Sequence, residues 1–170
     1  MEGTDMTTDR DLTTERDIAS LTAEQVMGRV LVTITPEESP LMAWELMRRA
    51  GVHHLPIVDG RHVLGVLSRE HLAASWSGGP SEQSVRQVGS MLGREPRPRV
   101  GPGDTLARVA GLMVDACSDA VPVVSARGLV GLITARDVLN AVAGRTDASA
   151  APGEVFTGLF RLEPVLPPPP

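Results

Sequence analysis

Gly51-Val52-His53-His54-Leu55-Pro56-Ile57-Val58, followed by Gly65-Val66-Leu67-Ser68, is written twice in this chain. At an offset of 66 residues it returns as Cys117-Ser118-Asp119-Ala120-Val121-Pro122-Val123-Val124, followed by Gly131-Leu132-Ile133-Thr134. In the same register Leu46-Met47 recurs as Leu112-Met113, Pro36 as Pro102 and Glu38-Ser39 as Asp104-Thr105. Val26-Met27-Gly28 matches Met91-Leu92-Gly93 at an offset of 65. A fixed internal period marks one supersecondary unit used twice.

One unit reads directly. Val30 to Ile34 is β-branched and apolar, a short strand. Thr35-Pro36-Glu37-Glu38 supplies a cap residue, a proline at the first helical position and early acids, which predicts a helix starting there. Leu41, Trp44, Met47 and Ala50 recur at helical spacing, with Met42 and Leu46 beside them, and Gly51 stops the helix. Leu55 to Val58 and Val63 to Leu67 flank Asp59-Gly60, a hairpin signal. Ser68 caps a second helix running to about Trp76. Copy two predicts a helix from Asp104 to Ala116, strands at Val121 to Val124 and Leu129 to Ile133, and a helix from Ala135 to Ala143. Each β-α-β-β-α copy, at about 55 residues, buries too little apolar surface alone, so the two must pack on each other.

Working outward, residues 1–20 hold six carboxylates and five threonines and read as a flexible acidic tail. Residues 22–77 form the first repeat, 78–84 a linker, 85–144 the second repeat, and 145–170 a proline-rich tail. Pro167 to Pro170 favour polyproline II, and Val155, Phe156, Leu159 and Phe160 form an apolar patch suited to docking on the body or on a partner.

The 170 residues carry a net charge of −5, with all 16 basic residues arginine, two Phe, two Trp and no Tyr. An acidic chain almost without aromatics disfavours nucleic-acid binding, by duplex contacts or by base stacking. Without lysine there is no Schiff-base chemistry. Cys117 stands alone, so there is neither an intramolecular disulfide nor a cysteine-based zinc framework, and a small buried residue is expected there. No apolar run reaches the about 18 residues of a spanning helix, and the acidic start is unlike a signal peptide, so a cytoplasmic protein without membrane association is expected. His53, His54 and His71 lack the carboxylate or cysteine company of a metal site. No nucleophile–base pair or metal spacing is present, and an enzyme is not expected.

Three stretches together, Gly51 to Pro56, Leu55 to Asp59 and the Gly-Leu-Ile-Thr-x-x-Asp run Gly131 to Asp137, resemble a tandem pair of CBS domains, the modules named after cystathionine β-synthase. The resemblance covers roughly residues 22–143. It implies an α+β fold of two repeats packed with pseudo-two-fold symmetry, a stand-alone Bateman-type module that joins a second copy in a disc-like homodimer. It also implies a regulatory, non-catalytic protein that binds an adenine nucleotide or S-adenosylmethionine between the repeats and signals occupancy to an effector protein. AMP, ADP, ATP and S-adenosylmethionine are the candidate ligands, and no cofactor is required.

Thr134 falls at a strand end and helix start, where free N–H groups and the helix dipole favour a phosphate. Its hydroxyl is placed to donate to the same oxygen, Arg136 to pair with phosphate, and Asp137 to accept from ribose hydroxyls. The plainer reading of Thr134 and Asp137 is a helix cap with an early acid. On the family pattern Val52 and His53, with Thr33 and Thr35, line the adenine side, and His53 and His54 reach toward phosphate. The symmetry-related cleft is weaker: Ser68 and Arg69 remain, but His71 stands where Asp137 does, and Ser118 and Asp119 face it. One competent site per chain is expected. The competing reading is a ligand-independent dimerisation or interaction module.

Overall fold

Two antiparallel hairpins organise the chain. The computed structural model describes residues 18–93 and 97–145 and the backbone of 154–157 and 161–164. In chain order the elements are α1 (Ala23–Val26), β1 (Leu31–Thr33), α2 (Pro40–Ala50), β2 (His54–Asp59), β3 (His62–Ser68), α3 (Arg69–Ala74), α4 (Pro80–Val85), a 3-10 turn (Val88–Met91), α5 (Leu106–Asp115), β4 (Ala120–Ser125), β5 (Gly128–Thr134), α6 (Ala135–Val142), β6 (Glu154–Thr157) and β7 (Arg161–Pro164). β2 pairs with β3 and β4 with β5, with the register shifting between Ile57 and Val58 in one and between Val123 and Val124 in the other. The repeated sequence has thus repeated its irregularity as well. Gly60 sits at φ +56° in the first turn, the left-handed backbone that the Asp-Gly signal predicts.

The helix after β1 starts later than Thr35-Pro36 suggested. Residues 35–38 close a turn, with the Glu38 N–H donating to the Thr35 carbonyl at 3.2 Å. Ser39 then caps α2 by accepting from the Met42 N–H at 3.1 Å, with Pro40 at the first helical position. The proline-at-the-start signal was sound; of two such prolines, the one behind a side chain that reaches the third N–H won. The rotation of α2 follows: Pro40, Ala43, Leu46 and Met47 are buried, whereas Leu41 and Trp44 stay partly exposed and Ala50 is exposed.

Each repeat has its own core. Ile34, Leu46, Met47, Leu55, Ile57, Leu67 and Leu72 fill the first, and Val109, Met113, Val121, Val123 and Ile133 the second. Burying each such side chain contributes about 1.5–3 kcal/mol. The segments before the repeats are exchanged. Ala23 and Met27 belong to the second core, with the Ala23 N–H donating to the Asp104 carbonyl at 2.7 Å. Val88 completes the first core, its N–H donating to Glu38 at 2.8 Å. This exchange ties the two half-domains into one folding unit.

Beyond the repeats, β6 pairs in parallel with β1 and antiparallel with β7, giving a three-stranded sheet. The tail therefore docks on the body through its backbone. The acidic start at residues 1–17, the side chains of the Val155 to Phe160 patch and the prolines Pro167 to Pro170 lie outside the described residues. α4 occupies the stretch read as linker, started by Pro80 at its first position. Arg97 braces the fold: it donates to the Leu64 carbonyl at 2.6 Å and to the Gly93 carbonyl at 2.7 Å. Cys117 is exposed, against expectation, because it holds the left-handed position after α5 at φ 47° and its side chain leaves the core there. Gly51 has the same place after α2, at φ 65°.

Candidate functional site

A cavity of about 430 Å³ opens between the repeats. Its first wall is the end of the exchanged segment and β1: Gly28, Val30, Leu31 and Val32. A second comes from the α2–β2 corner, Gly51 to His54 with Pro56, and a third from β5 and the start of α6, Leu132 and Thr134 to Asp137. Asp119 completes it from the loop before β4. The exchanged segment holds two of these walls together, since the Gly28 N–H donates to the Leu132 carbonyl at 2.9 Å and the Leu132 N–H returns to Gly28 at 3.1 Å.

Thr134, Arg136, Asp137, Val52, His53 and His54, the residues expected from the sequence, all line this one cavity. Thr33 and Thr35 do not: Thr33 is fully buried in β1 and Thr35 lies in the turn beyond it. The aliphatic wall of Val30, Leu31, Val32 and Leu132 was missed. Asp119, assigned to the weaker cleft, lines this cavity because the loop before β4 meets the start of β2 across the pseudo-two-fold axis.

The start of α6 is closed more fully than the sequence implied. Asp137 Oδ2 accepts from both the Thr134 N–H and the Thr134 hydroxyl, each at 2.7 Å, and the Asp137 N–H donates back to Thr134 Oγ1 at 3.4 Å. The Ala135 N–H donates to the Asp119 carbonyl at 2.8 Å. The Thr134 hydroxyl proton and two of the first three helical N–H groups are therefore engaged within the protein. The plain capping role is realised, and among these groups Asp137 Oδ1 and the exposed Arg136 guanidinium are left without a partner within the described residues.

His54 is largely buried, with 11% of its side chain exposed, and its Nε2 lies 2.9 Å from Asp119 Oδ1, an ion-pair distance without hydrogen-bond alignment. Glu70 is close enough for its charge to be felt by the same pair. Its carboxyl is held below the usual carboxylate range by its own N–H and the Ser68 hydroxyl, while Asp119 opposes that shift and His54 assists it. The remaining residues of the weaker cleft serve local structure. Ser68 caps α3 by accepting from the His71 N–H at 3.1 Å, and His71 Nδ1 lies 3.3 Å from its hydroxyl. Arg69 donates to the Val52 carbonyl at 3.3 Å and stacks over Trp44 at 5.8 Å, and Ser118 donates to the Ala120 carbonyl at 2.9 Å. Among the described residues no group of His, Cys, Asp and Glu is placed to hold a metal ion, and no helix is long and apolar enough to cross a membrane.

Two repeats, each a helix, a β-hairpin and a second helix, with exchanged leading segments and a cavity between them, define a tandem-repeat α+β fold. The CBS domain model matches residues 23–78 and 88–144, and the chain belongs to the CBS-domain family. Among curated relatives, the inosine-5'-monophosphate dehydrogenase of Korarchaeum cryptofilum is 32% identical over 117 residues, which is 68% of this chain. The chain spans only 23% of that enzyme's length. Among solved structures, the CBS domain pair of protein MJ0100 in complex with 5'-methylthioadenosine and S-adenosylmethionine superposes with a TM-score of 0.63 at 20% identity, covering 74% of this chain and 98% of the other. The CBS domain of the bacterial CNNM/CorC family magnesium transporter in complex with ATP gives a TM-score of 0.67 at 18% identity, covering 78% and 94%. These likenesses establish the fold.

Proposed function

We propose that the chain is a regulatory module that binds an adenosyl ligand in the inter-repeat cavity and passes its occupancy to an effector protein. The observation that carries this reading is the composition of the walls: β1 and the α2–β2 corner come from one repeat and the start of α6 from the other, so a ligand there touches both. A ligand that contacts one relative arrangement of the repeats better than another shifts the population toward it, and an effector reads the shift. The aliphatic wall suits the two faces of an adenine in a chain so poor in aromatics. Asp137 Oδ1 accepts from ribose hydroxyls, and Arg136 and the histidines approach the 5' substituent. Two solved relatives of the same fold hold adenosyl compounds, which supports the ligand class.

Nothing in the site calls for catalysis, and we read the protein as a non-enzyme located in the cytoplasm. Exposed Val114, Leu139 and Val142 on α5 and α6, with partly exposed Leu41, Trp44 and Trp76 on and after α2 and α3, favour self-association of two copies. Sedimentation of the full chain tests that part, with a dimer expected. Calorimetry with AMP, ADP, ATP and S-adenosylmethionine tests the binding: at least one binds the wild type and is weakened more than tenfold in Asp137→Ala. Absence of binding by all four, or equal binding by the variant, overturns the reading.

A further inference from the structure

We propose that Asp119 sets the charge of ligand this cavity accepts, so that it takes adenosyl compounds with a neutral or cationic 5' substituent, a thioether or a sulfonium, over nucleoside di- and triphosphates. The proposal rests on the adenosyl reading above and narrows it. Three features carry it. First, the permanent charges on the walls are the carboxylates Asp119 and Asp137 against the single guanidinium of Arg136. A phosphate chain entering there adds anions to an excess of anions, in a chain whose net charge is already −5.

Second, the helix start that commonly receives phosphate has most of its donors engaged within the protein, the Arg136 N–H excepted. The Ala135 N–H is on the Asp119 carbonyl, the Asp137 N–H is on Thr134 Oγ1, and the Thr134 N–H and hydroxyl are both on Asp137 Oδ2. The positive end of the α6 dipole is matched by a carboxylate of its own. Third, the Asp119 side chain is 57% exposed, touches His54 only without hydrogen-bond alignment, and feels the nearby Glu70 carboxylate as a like charge. Such a group gains from a cation and loses from a further anion. A sulfonium beside Asp119 supplies that cation, and a thioether asks nothing of it.

Asp119 also offers a clean test. Its structural task belongs to its carbonyl, which any residue keeps, so the side chain can be changed without disturbing the cap of α6. Calorimetry at near-neutral pH and physiological salt compares S-adenosylmethionine, 5'-methylthioadenosine, AMP and ATP on wild type, Asp119→Asn and Asp119→Ser, each checked by its melting curve. The expected result is that S-adenosylmethionine or 5'-methylthioadenosine binds the wild type at least tenfold more tightly than ATP. Both substitutions then strengthen ATP at least fivefold and leave 5'-methylthioadenosine within twofold. ATP binding the wild type as tightly as the thioether, or an ATP affinity unmoved in both variants, overturns charge selection while leaving the adenosyl reading intact. Failure of all four to bind any of the proteins overturns both.

Discussion

The main-chain carbonyl of Asp119 accepts the N–H of Ala135 at 2.8 Å, and one repeat earlier the carbonyl of His53 accepts the N–H of Arg69 at 2.9 Å. The two bonds are equivalent under the internal repeat. In each, the loop before a hairpin closes the first N–H of the helix that follows it. The backbone has kept one solution twice while the side chains have diverged: Ser68, Glu70 and His71 in one copy stand where Thr134, Arg136 and Asp137 stand in the other. What distinguishes the repeats chemically therefore lies in side chains on a shared frame.

That frame carries one strained substitution. Cys117 holds a left-handed conformation that its counterpart Gly51 adopts freely. A non-glycine residue there costs about 1–2 kcal/mol, partly offset by the greater chain entropy of glycine when unfolded. Cys117→Gly is expected to stabilise the protein by about 0.5–1 kcal/mol. Urea denaturation reads the difference, and a lower midpoint in the variant would contradict it.

Met27 of the exchanged segment packs directly over Gly131 of β5. A Cβ added at residue 131 would lie 2.7 Å from Met27 Cγ and 2.9 Å from Met27 Cβ, closer than side chains approach. Gly131→Val is expected to cost about 1–3 kcal/mol by overpacking. Met27→Ala should recover part of that loss in the double variant, although alone it is destabilising. Additive effects in the thermodynamic cycle would show that the two sites are not in contact.

On the outer face of α2 the carboxyl of Glu45 is held down at about 2 by hydrogen bonds from Arg48 and then Arg49, at 2.9 Å and 2.5 Å. A carboxyl depressed in the folded chain contributes stability above its ordinary value of 4.5, and that contribution is lost as the pH falls from there toward 2. The carboxylate is partly exposed to water and its partners are exposed arginines, so the change in stability is small. Carboxyl resonances followed by NMR should show Glu45 titrating well below its ordinary value of 4.5, and Arg48→Ala should move its midpoint upward. A midpoint unchanged by Arg48→Ala would rule out the arginine as the cause.

The strand β1 is shared between the cavity and the tail. Its residues 31–33 pair with β6, whereas the Ile34 N–H donates to the Pro56 carbonyl at 3.0 Å within the repeat. A chain ending at residue 145 should exchange β1 amides with solvent at least tenfold faster while the Ile34 amide keeps its protection. Hydrogen exchange resolved by residue decides this, and unchanged β1 protection would mean that the tail contributes nothing to that edge.

Much of this architecture was legible because the chain states it twice. Leu55 to Val58 with Asp59-Gly60 announced a hairpin, and the 66-residue period announced its partner. The start of α2 was misplaced because Thr35-Pro36 and Ser39-Pro40 carry the same local signal, and only the packing of Ala43 and Leu46 chooses between them. The exchange of Met27 into the far core left no local trace, and neither did the pairing of 154–157 with β1, since strand partners are selected across space. The six wall residues from Val52 to Asp137 could be named from motif and repeat together. Asp119 was assigned to the other cleft because its position follows from how the two repeats meet.

The measurement that bears most directly on the function is an amide NMR titration of the full chain with S-adenosylmethionine and, separately, with 5'-methylthioadenosine. The account predicts saturable shifts concentrated at Gly28, Val32, Val52, His53, Thr134 and Arg136, taken from both repeats at once. Absence of shifts, or shifts confined to one repeat or lying away from these walls, would contradict a ligand site between the repeats.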